Sequence, residues 1–308
     1  MPTPLFDLDF VFVVGKGGVG KTTTSAALAL AAARRGRRVL VAMCNSKERL
    51  SYLLEVEPIG PHNQPVLDNV DAVNMAPKYA LEEYGMMILK VRSLYRAIFE
   101  NRIVAAFLRG TPGLEAWSML GKAFFHTKDT DEAGQRRYDM VILDAPATGH
   151  GLDMLRVPQV IVDVAPPGLL RREAEDALAL FRDPARSGVV IVTLPEDMPT
   201  NETLELHATL TSELRMPVQR LVVNGVVPPL FEDAEREVFE GLPGRLGPGS
   251  PFASLAAAGR ARSLRERVQR ESIDRLEATI RAPRVELPLL FVPEFRRSAV
   301  EALSQSFG

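Results

Sequence analysis

Apolar residues fall into short unbroken runs separated by longer stretches with helical spacing. Val11–Val14 is a β-branched run that stops at glycines, the pattern of a strand covered on both faces. Lys21–Arg35 is rich in Ala and Leu with Gly36 just past its end, which predicts a helix with a C-terminal stop. Arg38–Met43 is the next apolar run. Strand, glycine loop, helix and strand make a βαβ unit, and such a unit implies a parallel sheet. Further strands are expected at Met140–Leu143, Gly188–Leu194, Leu221–Val223 and Leu289–Val292, alternating with helical stretches. The expected fold is therefore α/β, with a doubly wound, mostly parallel sheet running through the chain.

Two segments break the alternation. From Ala76 to Phe125 there is no convincing strand, but Met86, Leu89, Ile98, Val104 and Phe107 give it the composition of packed helices. It reads as a helical insertion, bounded here at 76–130. Gly241–Pro251 is a loop by its Gly and Pro content. The stretch after it carries Leu264, Val268, Ile273, Leu276 and Ile280 at roughly helical spacing.

Composition narrows the function. The 308 residues are 46% hydrophobic and 25% charged, with a net charge of −2, which speaks against a protein that holds nucleic acid by bulk charge. One Cys excludes a disulfide framework and any all-Cys zinc or iron–sulfur site built by a single chain. The longest apolar run, Ala26–Ala33, is far short of the ~20 residues that span a bilayer. The opening MPTPLFDLDF lacks a basic region followed by a long apolar stretch, so a cytoplasmic location is expected. Arg260–Arg284 holds eight Arg against four acids (Glu266, Glu271, Asp274 and Glu277), which suits a solvated helix face and leaves a DNA-binding face open.

The chemistry concentrates at Gly15–Thr22, GKGGVGKT, which fits G-x-x-x-x-G-K-[ST] between a strand and a helix. Glycines let successive backbone N–H groups turn toward one centre, and the helix N-terminus adds its positive end. Gly15, Gly17, Gly18, Val19, Gly20, Lys21, Thr22 and Thr23 are the candidate phosphate cradle for ATP. Lys21 should reach the β- and γ-phosphates, and Thr22 should ligate Mg²⁺. Asp144 ends the apolar run YDMVILD, where a carboxylate can hold a Mg²⁺-bound water. Thr22 and Asp144 are thus the candidate metal residues.

A second lysine at the start of the loop, Lys16, resembles the mark of the deviant Walker A family of dimeric ATPases. That resemblance implies a lysine reaching across a dimer interface to the partner's nucleotide. Asp144–His150, DAPATGH, resembles the DTAPTGH segment of the ArsA and guided-entry targeting ATPases, which serve arsenite efflux and tail-anchored membrane-protein insertion. Pro195-Glu196 with Glu202-Thr203 downstream looks like the same family's P-E…E-T segment. Asn224 in LVVNGVVP looks like its adenine-reading asparagine, and Leu287–Arg297, containing Pro288, looks like its adenine loop. The likeness runs from about Phe10 to Arg297 and is weakest in the insertion. It implies one P-loop ATPase domain over 1–308, with Thr148 and Gly149 sensing the γ-phosphate and His150 belonging to the same switch. It also implies a homodimer or a heterodimer with a related ATPase, without specific nucleic acid. In targeting members the insertions form an apolar groove for a client's membrane helix. The composition of 76–130 fits such a groove, and it fits ordinary helix packing or a protein interface equally.

Two departures qualify the resemblance. Where the family carries an Asp that orients the attacking water in switch I, this chain carries Asn45. An amide can hold a water but cannot act as a general base, so Lys16, Lys21, Asn45 and Asp144 form a candidate catalytic set with slow expected turnover. Glu48 is the nearest substitute base. Cys44 stands alone, which makes arsenite chemistry improbable and leaves no thiolate zinc site at a dimer interface. It reads as a small buried hydrophobe. Three functions stay open: an ATP-gated targeting factor, a non-catalytic subunit paired with a second ATPase, and a positioning ATPase of the ParA or MinD type.

Overall fold

A computed structural model describes residues 3–89, 113–242 and 250–308. The first half of the chain runs β1 (Phe10–Val14), α1 (Lys21–Ala33), β2 (Val39–Cys44), α2 (Leu50–Leu54), β3 (Gln64–Leu67), β4 (Val70–Met75), α3 (Pro77–Leu89), α4 (Leu114–Phe125) and β5 (Met140–Asp144). It continues through α5 (Thr148–Val164), α6 (Leu169–Phe181), β6 (Ser187–Thr193), α7 (Asp197–Ala208), β7 (Val218–Val226), α8 (Asp233–Gly241), α9 (Ala253–Thr279), β8 (Arg284–Pro288) and α10 (Arg297–Ser304). The eight strands form one sheet in the order β3-β4-β2-β5-β1-β6-β7-β8. Every pairing is parallel except β3 with β4. The expected α/β, mostly parallel sheet is what the chain forms.

Alternation inside an all-apolar strand explains the layers. Successive side chains of β1 point to opposite faces. Phe10, Phe12 and Val14 join one buried cluster, while Val11 and Val13 join the other. On the first face Phe10, Phe12, Phe124 and Phe181 meet with ring centroids 4.6–5.9 Å apart, in tilted and edge-on arrangements. On the second face lies α1, whose residues Thr24–Ala32 are all buried. From Ala26 to Ala33 it is apolar around the whole circumference because it packs between the sheet and α10, which contributes Val300 and Leu303.

The described parts of the 76–130 segment pack onto the first face: Ala80, Tyr84, Trp117, Leu120 and Phe124 belong to the same cluster as the β1 phenylalanines. Ile98, Val104 and Phe107 lie outside the described residues, as do the side chains of Met87 and Leu89. Most of the loop expected at Gly241–Pro251 lies outside them too.

The sheet departs from expectation at both edges. The run Leu289–Val292 is not a strand; β8 lies just before it, at Arg284–Pro288. Leu289 N still donates to Val226 O at 2.8 Å. The chain then leaves the sheet, with Phe291 80% exposed between Pro288 and Pro293. The β3–β4 hairpin escaped detection because β3 is only partly covered and includes Pro65, and because the hairpin turns at Asp68-Asn69 with Asn69 in the left-handed region (φ 60°).

The basic stretch on α9 is largely neutralised within the chain. Glu266 is buried between Arg236 and Arg262, while Arg267 pairs with Glu240 and Arg275 with Asp197. No described helix is long and apolar enough to cross a membrane.

Candidate nucleotide site

The loop after β1 emerges between β5 and β6, near the C-terminal ends of the central strands, where open α/β sheets bind ligands. Its path requires glycine at two positions. Gly15 has φ +153°, and a Cβ there would stand 2.2 Å from Val192 O, a backbone atom of β6. Gly20 has φ +96°, and a Cβ there would stand 2.2 Å from Asn224 Nδ2. That nitrogen donates to Val19 O at 2.9 Å, so the β7 amide ties down the loop from behind. Val19 is itself buried in the core.

Lys21 and Thr22 begin α1, directly after the loop. Lys21 Nζ turns back to donate to Gly15 O at 3.1 Å and Lys16 O at 2.9 Å. Burial lowers the pKa of Lys21, and the charge of Asp144 partly offsets this. Thr22 Oγ1 donates to Asp144 Oδ2 at 2.6 Å. Asp144 is 5% exposed, and burial pushes its carboxyl up to about 6 against the stabilising effects of Thr22 and Lys21. Its other oxygen, Oδ1, is buried with no hydrogen-bond partner. An unmet carboxylate oxygen beside a threonine hydroxyl is a donor set suited to Mg²⁺, a hard cation that prefers oxygen.

Two cavities flank the loop. One, of about 470 Å³, is floored by Gly18, Gly20, Lys21, Thr22 and Asp144 and walled by Cys44, Ser46 and Arg49. The other, of about 500 Å³, lies beside Lys16, Gly17, Thr148, Gly149, Glu202 and Glu205. Lys16 does not extend outward. Its Nζ pairs with Glu202 Oε1 at 2.5 Å and contacts Met198 Sδ at 2.9 Å, both on α7 of its own chain. Thr148 Oγ1 and Glu202 Oε2 are buried without partners.

The segment after β2 is anchored at several points. Asn45 takes a left-handed conformation (φ 43°), and its N–H donates to Met75 O at 2.7 Å. Glu48 accepts from Ser51 N at 2.7 Å and Ser51 Oγ at 2.5 Å, so its carboxylate caps α2 and is not free to serve as a base in this conformation. Cys44 is buried, and burial raises its thiol pKa.

A family model described as anion-transporting ATPase matches residues 8–165, a span that includes the phosphate loop, Asp144 and Thr148. The chain belongs to the anion-transporting ATPase family. ATPase BagA of Mycobacterium tuberculosis is 28% identical over 307 residues, covering 93% of this chain and 89% of that protein. An ATPase ASNA1 homolog of Entamoeba dispar is 26% identical over 262 residues, covering 72% of this chain and 77% of that protein. An arsenical pump-driving ATPase of Escherichia coli is 26% identical over 235 residues, which span 71% of this chain but 40% of that protein. The ArsA and guided-entry resemblance drawn from the motifs is therefore shown.

In this ATPase the expected site residues divide by place. Gly18, Gly20, Lys21, Thr22, Thr23 and Asp144 line the first cavity. Lys16, Gly17, Thr148 and Gly149 line the second. Gly15 and Val19 shape the loop from inside the protein, and Asn224 braces it. Asn45 is exposed and lines neither cavity, and Pro288 is exposed at the end of β8. Ser46 and Arg49 went unread because no motif marks them; only the folded path of the segment after β2 brings them to the cavity.

Proposed function

We propose that the 470 Å³ cavity is the seat of the ATP phosphates in an ATPase whose nucleotide state governs assembly with a second subunit. The observation that carries this reading is the Thr22–Asp144 pair at the foot of the phosphate loop, with its one unmet buried carboxylate oxygen. Thr22 and Asp144 would hold Mg²⁺, which would supply charge neutralisation at the β- and γ-phosphates. Lys21 would exchange the Gly15 and Lys16 carbonyls for phosphate oxygens. Thr148 Oγ1, now without a partner, and the Gly149 N–H would sense the γ-phosphate at the start of α5. Asn224 and the loop at Pro288 would receive the adenine. On this reading residues 1–308 make one P-loop domain with a helical insertion at 76–130, and the protein works in the cytoplasm.

Closure of a dimer on ATP would draw Lys16 from Glu202 to the neighbour's nucleotide, a hinge and order transition. The work coupled to that switch is targeting or chaperoning of hydrophobic, tail-anchored-like clients. Support for the coupled work comes from the family and from the apolar composition of 76–130. A second reading is favoured by Asn45 and by the engaged Glu48: a slow or non-hydrolysing subunit that pairs with a relative retaining the carboxylate. Titration calorimetry with Mg-ATP on the native chain and on Lys21→Ala tests the site. Binding that requires Mg²⁺ and is lost in the variant is expected, and equal binding by both would overturn it. Co-purification with and without ATP, with all partners identified, separates the two readings.

A further inference from the structure

Where the family resemblance places a carboxylate after the second strand, this chain carries Asn45, and four residues later it carries an arginine. Arg49 stands on the wall of the cavity that also takes in Gly18, Lys21, Thr22 and Asp144. The backbone leading to it is clamped. Ser46 N donates to Asn74 Oδ1 at 3.3 Å, and Asn74 Nδ2 donates to Ser46 O at 3.0 Å. The carbonyl of Arg49 accepts from Leu53 N at 3.1 Å, which fixes it at the start of α2. Its neighbour Glu48 is committed to Ser51, and among the described residues no acid pairs with Arg49.

Topology separates the strand that leads to Arg49 from the strand that leads to the loop. Arg49 follows β2, Asp144 ends β5 and the loop follows β1, and β5 lies between the other two strands. β2 and β1 are therefore two strand spacings, about 10 Å, apart, with Asp144 at the tip of the strand between them. A phosphate chain seated on the loop amides would have the Thr22–Asp144 pair beside it and Arg49 on the wall of the same cavity. Among the cavity's lining residues the cations are Lys21 and Arg49, and the one acid is Asp144.

We infer that Arg49 grips the outermost phosphate of the bound nucleotide and so makes the site prefer a triphosphate to a diphosphate. The inference rests on the reading of this cavity as the phosphate site. A planar fork of N–H donors suits two phosphate oxygens at once, which a lysine ammonium cannot match. The position of an absent general base is thus followed by a group that holds the γ-phosphate rather than one that activates water.

The test is calorimetric affinity for Mg-AMP-PNP, a non-hydrolysable triphosphate, and for Mg-ADP. It is run on the native chain, Arg49→Ala, Arg49→Lys and Lys21→Ala. Arg49→Ala should weaken the triphosphate about tenfold or more while ADP stays within about twofold, because only the outer phosphate loses its charge-assisted bonds. Arg49→Lys should recover part of the loss. Lys21→Ala should weaken both nucleotides. Equal loss on both nucleotides in Arg49→Ala, or loss on neither, overturns the inference and leaves the phosphate site standing. Weakened self-association with both affinities unchanged also overturns it and makes Arg49 an interface residue. A native chain that binds neither nucleotide overturns the phosphate-site reading, and this inference with it. Arg49 is exposed, so its removal should leave the fold intact, which an unchanged thermal midpoint would verify.

Discussion

The two cavities that flank the phosphate loop share Ala147 and little else. The floor of the first is built on packed groups, with loop glycines pressed against β6 and β7 and a carboxylate sealed beneath Thr22, and its wall carries the exposed Ser46 and Arg49. Its charged lining groups are two cations and one acid, a balance that suits an anion. The second is built on longer, partly exposed side chains, with two acids facing one lysine. That lysine and its partner Glu202 each keep 34% of their side-chain surface exposed. One loop therefore offers an anion cradle on one side and an acid-lined recess on the other. Chemistry on a phosphate chain needs the first kind of site, because rigid donors need not reorganise when charge arrives. A contact that forms and breaks with nucleotide state suits the second kind, because its ion pair is already partly in water.

The largest effect should follow from breaking the rigid side. Gly15→Ala would drive a Cβ to 2.2 Å from a backbone carbonyl of the central strand β6, which cannot swing aside as a side chain can. Strain of this kind costs about 1–3 kcal/mol, and forced movement of the packed strand adds to it, so a loss of about 3 kcal/mol is expected. Denaturant unfolding would measure it, and nucleotide binding should vanish in parallel. A variant of native stability that still binds Mg-ATP would show the loop to be less tightly seated than its packing indicates.

Much of this rigid side is legible in the sequence, and the reason is physical. Glycines at fixed spacing, Lys21 and Thr22 are demanded by one backbone path, and the strand before them must be apolar because it is covered on both faces. Asp144 can be read because it ends another such strand. The softer side is legible only in part. Lys16 announces itself by position, but its pairing with Glu202 joins residues 186 positions apart through the β1–β6 contact, which no local pattern encodes. On the first side, Ser46 and Arg49 are unmarked too, because only the folded path after β2 brings them to the cavity wall. The edges of the sheet misled for another. Leu289–Val292 is apolar yet leaves the sheet, with Phe291 and Val292 exposed and Leu290 only partly covered, and β8 before it, RVELP, is mixed because an edge strand needs cover on fewer sides.

Asp144→Asn should produce opposite effects on function and on stability. The carboxylate is held in a place that penalises its charge, with one oxygen unpartnered. An amide of the same shape loses the charge and can still meet Thr22. The ligand-free variant should melt at the native temperature or above it, while Mg²⁺-dependent ATP affinity falls tenfold or more, as expected for loss of a metal ligand. A destabilised variant with unchanged affinity would make Asp144 a structural residue.

Asn45→Asp probes the switch segment, where turnover should rise about tenfold or more if a general base is what the site lacks. Asp tolerates the left-handed φ of 43° found at Asn45, so the segment should keep its conformation. A steady-state phosphate-release assay reads the outcome. No increase would indicate that turnover is limited elsewhere, or that the carboxylate comes from a partner subunit.

The smallest effect on the isolated chain belongs to Glu202→Gln, and it bears most directly on the contrast between the two cavities. The Lys16–Glu202 pair is partly solvated, so its loss should cost less than about 1 kcal/mol of stability. Its consequence should appear in assembly. With the carboxylate gone, Lys16 loses its ion pair to α7 and keeps only its contact with Met198, so on the proposed reading it would reach a neighbour at lower cost. On the proposed reading, in which closure draws Lys16 from Glu202, ATP-dependent self-association followed by sedimentation should strengthen a few-fold. Nucleotide affinity of the dilute monomer should not change, since Glu202 does not line the phosphate cavity. Should Glu202→Gln weaken self-association instead, Glu202 would be a contact of the closed state rather than a restraint on the open one, and the recess would belong to the interface in both states.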